Sequence, residues 1–273
     1  MFMPSLIASE RLAPLSRDDD VRYSRNIAVP EVGAEGQERI RAAKVLIVGT
    51  GGLGSAIALY LAAAGVGTIG LVDFDEVEES NLQRQIIHSA SDIGRPKTAS
   101  ARESILALNP GVGVIAHQSA LTSENALAIL ADYDIIADGT DNFSAKYLLN
   151  DACVFLGKPL VHGSASQLDG EVTVFDSAQG PCYRCLYPTP PPGVTPPPAD
   201  AGVLGVVPGL VGVLQATEIL KLIVGGADIL IGRLLLAEVW STHFREVTLT
   251  KNPDCPVCGT EPTITELYGS YGG

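Results

Sequence analysis

Three glycines lie at the spacing of nucleotide-binding loops. Gly49, Gly51 and Gly54 form the pattern G-x-G-x-x-G directly after the apolar run Lys44–Val48. In such loops the first glycine allows a tight turn, the second lets phosphate approach the backbone, and the third lets helix and strand pack closely. The free N–H groups at the start of the following helix attract an anion. The pattern predicts a nucleotide-binding loop; the alternative is a turn whose glycines serve packing alone.

Charged side chains follow the predicted strands. Asp73 ends the apolar run Thr68–Val72, about twenty residues after the last loop glycine, where an acid can accept hydrogen bonds from ribose hydroxyls. Asp141 follows another apolar run and could hold Mg²⁺, or alternatively cap a helix.

Arg25, Arg84 and Lys97 are candidate partners of a triphosphate, since arginine binds phosphate in a bidentate manner and lysine acts as a point charge. Taken singly, each of these three would more often be a solvated surface charge.

Four of the five cysteines form two C-x-x-C pairs, Cys182/Cys185 and Cys255/Cys258. This spacing predicts a four-cysteine zinc site that joins two distant parts of the chain. Four thiolate ligands leave no position for water, which favours a structural metal over a catalytic one. Two separate redox pairs are the alternative. The fifth, Cys153, is expected to be a buried and inert thiol.

These residues can form one site only if the sheet brings the ends of their strands to the same edge. Up to residue 156, apolar strand-length runs alternate with amphipathic segments, which predicts a Rossmann-like, doubly wound parallel sheet. Pro96 is expected to open one of the helices and Ser123 to cap another. Further strands then follow without full helices between them, so the sheet should continue into mixed or antiparallel strands. Val206–Val224 is expected to be a long apolar helix that stops at a Gly-Gly pair.

Domain boundaries are predicted from composition. Residues 1–20 should be a mobile N-terminal lead, residues 21–262 a single domain, and residues 263–273 a flexible tail. A proline-rich crossing loop at 188–200 can be neither helix nor central strand. The short segment 21–29 is basic, and Arg25 is expected to lie beside a hydrophobic strand.

Charge and hydropathy exclude some functions. The net charge of −13 repels nucleic-acid phosphate, so no nucleic-acid partner is expected. No apolar segment is expected to be long enough to span a membrane, and the N-terminus lacks the basic and apolar regions of a signal peptide. We therefore expect a cytoplasmic protein that has no membrane partner.

Eight short motifs, spread over most of the chain, occur together in one known family. They are Arg22-Tyr23-x-Arg25, Gly49-x-Gly51-Gly52-Leu53-Gly54, Asp73-Phe74-Asp75, Ser80-Asn81-Leu82-Gln83-Arg84-Gln85, Gly94-x-Pro96-Lys97, Thr140-Asp141-Asn142, Cys182-Tyr183-Arg184-Cys185 and Asn252-Pro253-x-Cys255-Pro256-x-Cys258-Gly259. With them the chain resembles the ThiF/MoeB/HesA family of ubiquitin-activating-like adenylyltransferases, and most closely its MoeB type. A nicotinamide-dependent oxidoreductase would share only the glycine loop.

The resemblance implies an adenylation reaction that uses ATP and Mg²⁺. The substrate would be the C-terminal Gly-Gly carboxylate of a ubiquitin-fold sulfur-carrier protein, and Zn²⁺ would be structural. Arg25, Arg84 and Asp141 would be catalytic, with Asp141 binding magnesium and Arg25 reaching the partner subunit's site in a homodimer. The implied nucleotide-binding residues are Gly49, Gly51, Gly52, Gly54, Asp73, Ser80, Asn81, Leu82, Gln83, Arg84, Lys97, Asp141 and Asn142.

One position departs from the family pattern. Pro198 stands where many relatives carry a crossing-loop cysteine, so we expect no thioester on this loop and a separate sulfur donor. The carrier and its pathway stay open among molybdopterin, thiamine, thiolated tRNA and cysteine synthesis. Adenylation of another carboxylate and a non-catalytic carrier-binding subunit are the alternative functions. The terminal Gly272-Gly273 resembles a carrier tail, and we consider that it could enter an active site or be a plain flexible end.

Overall fold

One mixed eight-stranded sheet carries the fold in the computed structural model, which describes residues 3–189 and 202–268. The spatial order is β3-β2-β1-β4-β5-β6-β7-β8. Neighbours from β3 to β5 pair in parallel, and neighbours from β5 to β8 pair antiparallel. This confirms the predicted fold class. The strands are β1 Lys44–Val48, β2 Thr68–Val72, β3 Gly113–His117, β4 Ile135–Asp138, β5 Leu160–Ser166, β6 Asp169–Phe175, β7 Arg233–Glu238 and β8 His243–Thr248.

Helices cover both faces of the parallel half, which explains why its central strands carry buried apolar side chains on both faces. Alternate residues of β1 point to opposite faces: Val45 and Ile47 join one core cluster, and Leu46 and Val48 join the other. The described helices are α1 Arg17–Arg22, α2 Ser24–Ile27, α3 Gly33–Ala42, α4 Gly52–Ala64, α5 Lys97–Leu108, α6 Ala126–Ala131, α7 Phe143–Leu156, α8 Tyr183–Leu186 and α9 Val206–Val224.

Helix α9 begins and ends where the sequence predicted, with Gly225 at its C-cap. Its length and its mean hydropathy of 1.6 match those of a membrane span, which corrects the expectation that no segment reaches that length. Its partners give another reason for the apolar composition. Ile219, Leu222 and Ile223 are buried in the core cluster that α4 also joins, so α9 has the burial of a core helix.

Residues 3–20, which the sequence predicted to be mobile, pack on the domain. Met3 and Ile7 are buried in the main core cluster. The Leu6 N–H donates to the Leu222 carbonyl at 3.1 Å, and Arg11 forms an ion pair with Asp134 at 2.6 Å. The two apolar side chains and the hydrogen bond to the end of α9 hold the lead against the body, so this prediction is corrected for the described residues.

Several local predictions also need correction. Residues 21–29 contain α2, so Arg25 lies on a short helix and not beside a strand. Helix α6 begins at Ala126, because Asn125 and not Ser123 occupies its N-cap position. Pro96 is the N-cap of α5 and not its first residue. In the predicted flexible tail, Ile264 is buried, whereas residues 269–273 and most of the crossing loop, including Pro198, lie outside the described residues.

Candidate active site and metal centre

A cavity of about 850 Å³ lies at the carboxyl ends of β1, β2 and β4, where open parallel sheets bind ligands. The structure brings most of the predicted nucleotide-binding residues together in its wall. Of the predicted set, Gly54, Leu82 and Arg25 do not line it. Those that do are Gly49, Gly51, Gly52, Asp73, Ser80, Asn81, Gln83, Arg84, Lys97, Asp141 and Asn142.

The three motif glycines occupy three different environments. Gly49 has φ +89, a left-handed conformation that favours glycine. A Cβ on Gly54 would lie 2.0 Å from the Gly49 carbonyl oxygen, so only glycine lets α4 start this close to β1. A Cβ on Gly51 would contact only Gln85, at 3.6 Å or more, and Gly51 faces the cavity. The structure therefore contains all three predicted features: a tight turn at Gly49, close packing of α4 on β1 at Gly54, and open space beside the backbone at Gly51.

The loop is held from both sides by buried polar groups. The Asp73 carboxylate accepts hydrogen bonds from the backbone N–H and the hydroxyl of Thr50, each at 2.8 Å. His88 Nε2 lies 3.1 Å from the Thr50 carbonyl oxygen, and its Nδ1 lies 2.8 Å from the Ser100 hydroxyl. Burial lowers the pKa of His88, so the neutral imidazole fits between them. His88 was not predicted; it follows the Asn81–Gln85 motif, which was the available signal.

The cationic wall of the cavity is built on the loop after β2 and the start of α5. Arg84 donates to the Asn81 side-chain oxygen at 2.8 Å, which orients the guanidinium. Lys97 is buried and donates to Asp75 at 2.8 Å. Both side chains line the cavity beside the glycine loop, where Asp75 partly neutralises the Lys97 charge and an anion could contact both cations.

Asp141 also lines the cavity and lies one residue before the N-cap of α7. The Asn142 side chain accepts a hydrogen bond from the Ala145 N–H at 2.9 Å. The capping alternative for Asp141 is therefore wrong, because Asn142 performs that role. Asp141 is exposed in the cavity, and an exposed carboxylate suits a Mg²⁺ ion that keeps water and phosphate ligands.

A buried polar network that the sequence did not predict fixes the backbone that leads to Asp141. Asp138 is fully buried and accepts from Lys146 Nζ and contacts His162 Nδ1, each at 2.8 Å. Burial alone would raise the pKa of Asp138, but the Lys146 charge and the His162 hydrogen bond outweigh it and hold that pKa below its usual range. Asp138 also accepts from the Thr140 N–H and hydroxyl, which fixes the backbone just before Asp141.

The four paired cysteines meet at one point. Cys182 and Cys255 Sγ atoms lie 3.5 Å apart, as do those of Cys185 and Cys258, and all four lie within 4.8 Å of one another. A zinc ion with Zn–S bonds of about 2.3 Å needs S···S separations of about 3.8 Å. The cluster therefore fits tetrahedral zinc, and its separations are too long for disulfides. Cys153 is apart and buried, and burial raises the pKa of its thiol, as expected for an inert residue.

Arg25 is exposed on α2 and does not line the cavity of its own chain. Its neighbour Asn26 lines a separate groove of about 250 Å³ between α4 and α9. Tyr60, Val213 and Leu220 make most of this groove apolar. Arg25 is therefore one residue away from a groove-lining position and does not line the chain's own phosphate wall.

Sequence reasoning missed the apolar part of the cavity. Phe74 and Leu121 follow the neighbouring strands β2 and β3, and Tyr268 comes from the segment after the last cysteine. The position of Phe74 directly after Asp73 was a usable signal. No local pattern pointed to Tyr268, because its position depends on the path of the chain after the cysteine cluster.

Comparisons with known proteins agree with this geometry. Residues 23–257 match the ThiF family. The chain is 52% identical to a protein from Thermus thermophilus named sulfur carrier protein adenylyltransferase, over 92% of this chain and 96% of that protein. It is 49% identical to adenylyltransferase and sulfurtransferase MOCS3 of Culex quinquefasciatus, covering 94% of this chain but 59% of that protein, so it spans little more than half of that longer relative.

Solved structures show the same fold at lower identity. A complex of Escherichia coli MccB with MccA-N7isoASN superposes with a TM-score of 0.77 at 23% identity, covering 88% of this chain and 75% of that one. The structure of PaaA gives a TM-score of 0.74 at 22% identity, with coverages of 87% and 76%. These likenesses extend to the fold alone.

Proposed function

The chain belongs to the ThiF family, and we propose that it is an adenylyltransferase that activates the C-terminal Gly-Gly carboxylate of a ubiquitin-like sulfur-carrier protein. The observation that carries the proposal is the cavity itself. It combines a glycine loop open to phosphate, the cations Arg84 and Lys97, and the carboxylate of Asp141 at one sheet edge. A nicotinamide enzyme needs the loop but neither the two cations nor the Asp141 carboxylate.

In the reaction, the carrier carboxylate attacks the α-phosphorus of ATP, a P–O bond to the β-phosphate breaks, and pyrophosphate leaves with the electron pair. The N–H groups of the glycine loop hold the phosphates, and Asp73 orients the ribose. Arg84 and Lys97 stabilise negative charge that builds on the phosphate oxygens, and their hydrogen bonds to Asn81 and Asp75 position them beforehand. The carrier adenylate is the product.

Two metals fit the residues present. Asp141 would hold Mg²⁺, which neutralises charge on the phosphate oxygens during transfer. Cys182, Cys185, Cys255 and Cys258 would hold Zn²⁺, and a closed four-thiolate site supplies structural stability and no open position for a reactant.

We also infer that the active unit is a homodimer. The support is the exposed position of Arg25, one residue away from the lining of the apolar groove between α4 and α9, where a second copy could cover the groove and receive Arg25 at its phosphate wall. With Pro198 in place of the crossing-loop cysteine, a separate donor supplies the sulfur that resolves the adenylate. A cytoplasmic location remains part of the proposal.

The test is ATP–pyrophosphate exchange with purified protein and a panel of carriers that end in Gly-Gly. Wild-type protein should exchange with at least one carrier. Asp141→Ala should lower the rate on the order of a thousandfold, because it removes the magnesium ligand. Asp132→Ala, which removes an exposed carboxylate outside the cavity, is the matched control and should keep the wild-type rate. Full exchange by Asp141→Ala would contradict the assignment, and carrier binding without any exchange would favour a non-catalytic subunit.

A further inference from the structure

Residues 260–268, which we call the C-terminal strap, begin at the cysteine cluster. The Thr263 and Ile264 N–H groups donate to the Pro256 carbonyl at 2.9 and 2.8 Å. Ile264 is buried and packs in the same small cluster as Cys182 and Cys255. The first half of the strap is therefore fixed to the second cysteine pair by both backbone and side-chain contacts.

The second half of the strap crosses to the nucleotide cavity. Leu267 packs against the core cluster that Leu121 and Leu148 also join. The next residue, Tyr268, lines the cavity and is 42% exposed. Because Leu267 and Ile264 hold the strap at two points, the backbone directs Tyr268 to the cavity wall.

Two chemically different sets of residues line the cavity. The glycine loop, Arg84 and Lys97 provide N–H groups and positive charge, which suit a triphosphate. Phe74, Leu121 and Tyr268 instead provide aromatic and aliphatic surface. Phe74 is 67% exposed, far more than a packing role requires. Such surface suits a planar, weakly polar group, and in ATP that group is the purine base.

We propose that Tyr268 is a nucleotide-binding residue whose ring packs against the adenine base of ATP. The proposal rests on the proposed function, since it assumes that ATP occupies the cavity. The base is a better partner for the ring than the carrier tail, because a Gly-Gly segment has no side chain to pack on an aromatic surface. The segment that follows the metal centre thus completes the substrate site.

The experiment measures binding by calorimetry, with ATP and with inorganic tripolyphosphate as separate probes and no carrier. The variants are Tyr268→Ala, Tyr268→Phe and Thr265→Ala. Thr265 is exposed on the same strap and does not line the cavity, so its variant controls for altered strap stability. A thermal-unfolding midpoint for each variant controls for folding.

Tyr268→Ala should weaken ATP binding about 5- to 150-fold, the range found when one base–aromatic stack is lost, and leave tripolyphosphate binding unchanged. Tyr268→Phe keeps the ring, and Thr265→Ala keeps the tyrosine, so both should bind ATP within about twofold of wild type.

Three other results would overturn the proposal. Unchanged ATP affinity in Tyr268→Ala would remove the residue from the site. Tighter ATP binding by Tyr268→Ala would mean that the strap competes for the cavity. Wild-type protein that binds tripolyphosphate but not ATP would overturn the proposed function, and with it this role for Tyr268.

Discussion

His88 is a side chain that can titrate and that contacts the glycine loop. It lies between the Thr50 carbonyl and the Ser100 hydroxyl, and both ring nitrogens have partners. Burial lowers its pKa below the ordinary 6.5 and outweighs the hydrogen bond to the Thr50 carbonyl, which raises that pKa. The Lys97 charge lowers the pKa further, against smaller opposing effects of Asp73 and Asp92. Burial therefore favours the neutral imidazole at this contact with the loop.

This arrangement gives a pH dependence with a defined sign. Below about pH 6.5 the unfolded chain takes up a proton at His88 before the folded chain does, so stability is complete above that pH and falls as the pH drops. Between pH 7.5 and 5.5, denaturant unfolding should show a larger loss of stability for wild type than for His88→Gln, which cannot take up the proton. Equal losses in the two proteins would mean that His88 does not titrate differently on folding.

At the scale of elements, the junction between β1 and α4 leaves no room for a side chain at Gly54. A Cβ on Gly54 would lie 2.0 Å from a backbone oxygen, which cannot rotate away. Gly54→Ala should therefore lower the free energy of unfolding by about 2 kcal/mol or more and weaken ATP binding, as measured by denaturant titration and calorimetry.

A second glycine provides the control for that substitution. Gly209 lies inside α9, and a Cβ there would meet nothing within 4 Å. Gly209→Ala should leave stability unchanged or raise it by up to about 1 kcal/mol, because alanine favours the helix. If both alanine variants were equally stable, close packing at Gly54 would not explain the motif.

The sequence predicts elements well where burial follows a local pattern. The run Lys44–Val48 is apolar on both faces because helices cover both, and Val206–Val224 is bounded by a glycine that ends it. The positions of Met3, His162 and Tyr268 could not be predicted in this way. Each depends on a gap or partner supplied by a residue far away in the chain, and no spacing rule encodes such a contact.

At the scale of the whole molecule, the separation of Arg25 from its own cavity can be tested by subunit mixing. If Arg25 acts in the partner's site, Arg25→Ala and Asp141→Ala homodimers should each be inactive, whereas a mixed dimer keeps one intact site. After subunit exchange, pyrophosphate exchange should recover to a fraction of the wild-type rate. The control is the same mixing between two Arg25→Ala preparations, which should recover nothing. Absence of recovery in confirmed mixed dimers would indicate action within one chain.

The four-cysteine centre has a thermodynamic consequence beyond its geometry. Cys182 and Cys255 are 73 positions apart, and the loop between them contains all of α9. Bringing them together on folding costs conformational entropy, worth about 4 kcal/mol for a loop of this length on the estimate used for disulfides, and the binding free energy of the metal must offset that cost. Because the ion is bound only by the folded chain, it stabilises by mass action, in proportion to the logarithm of its free concentration. The amount of folded enzyme would thus follow the supply of free zinc.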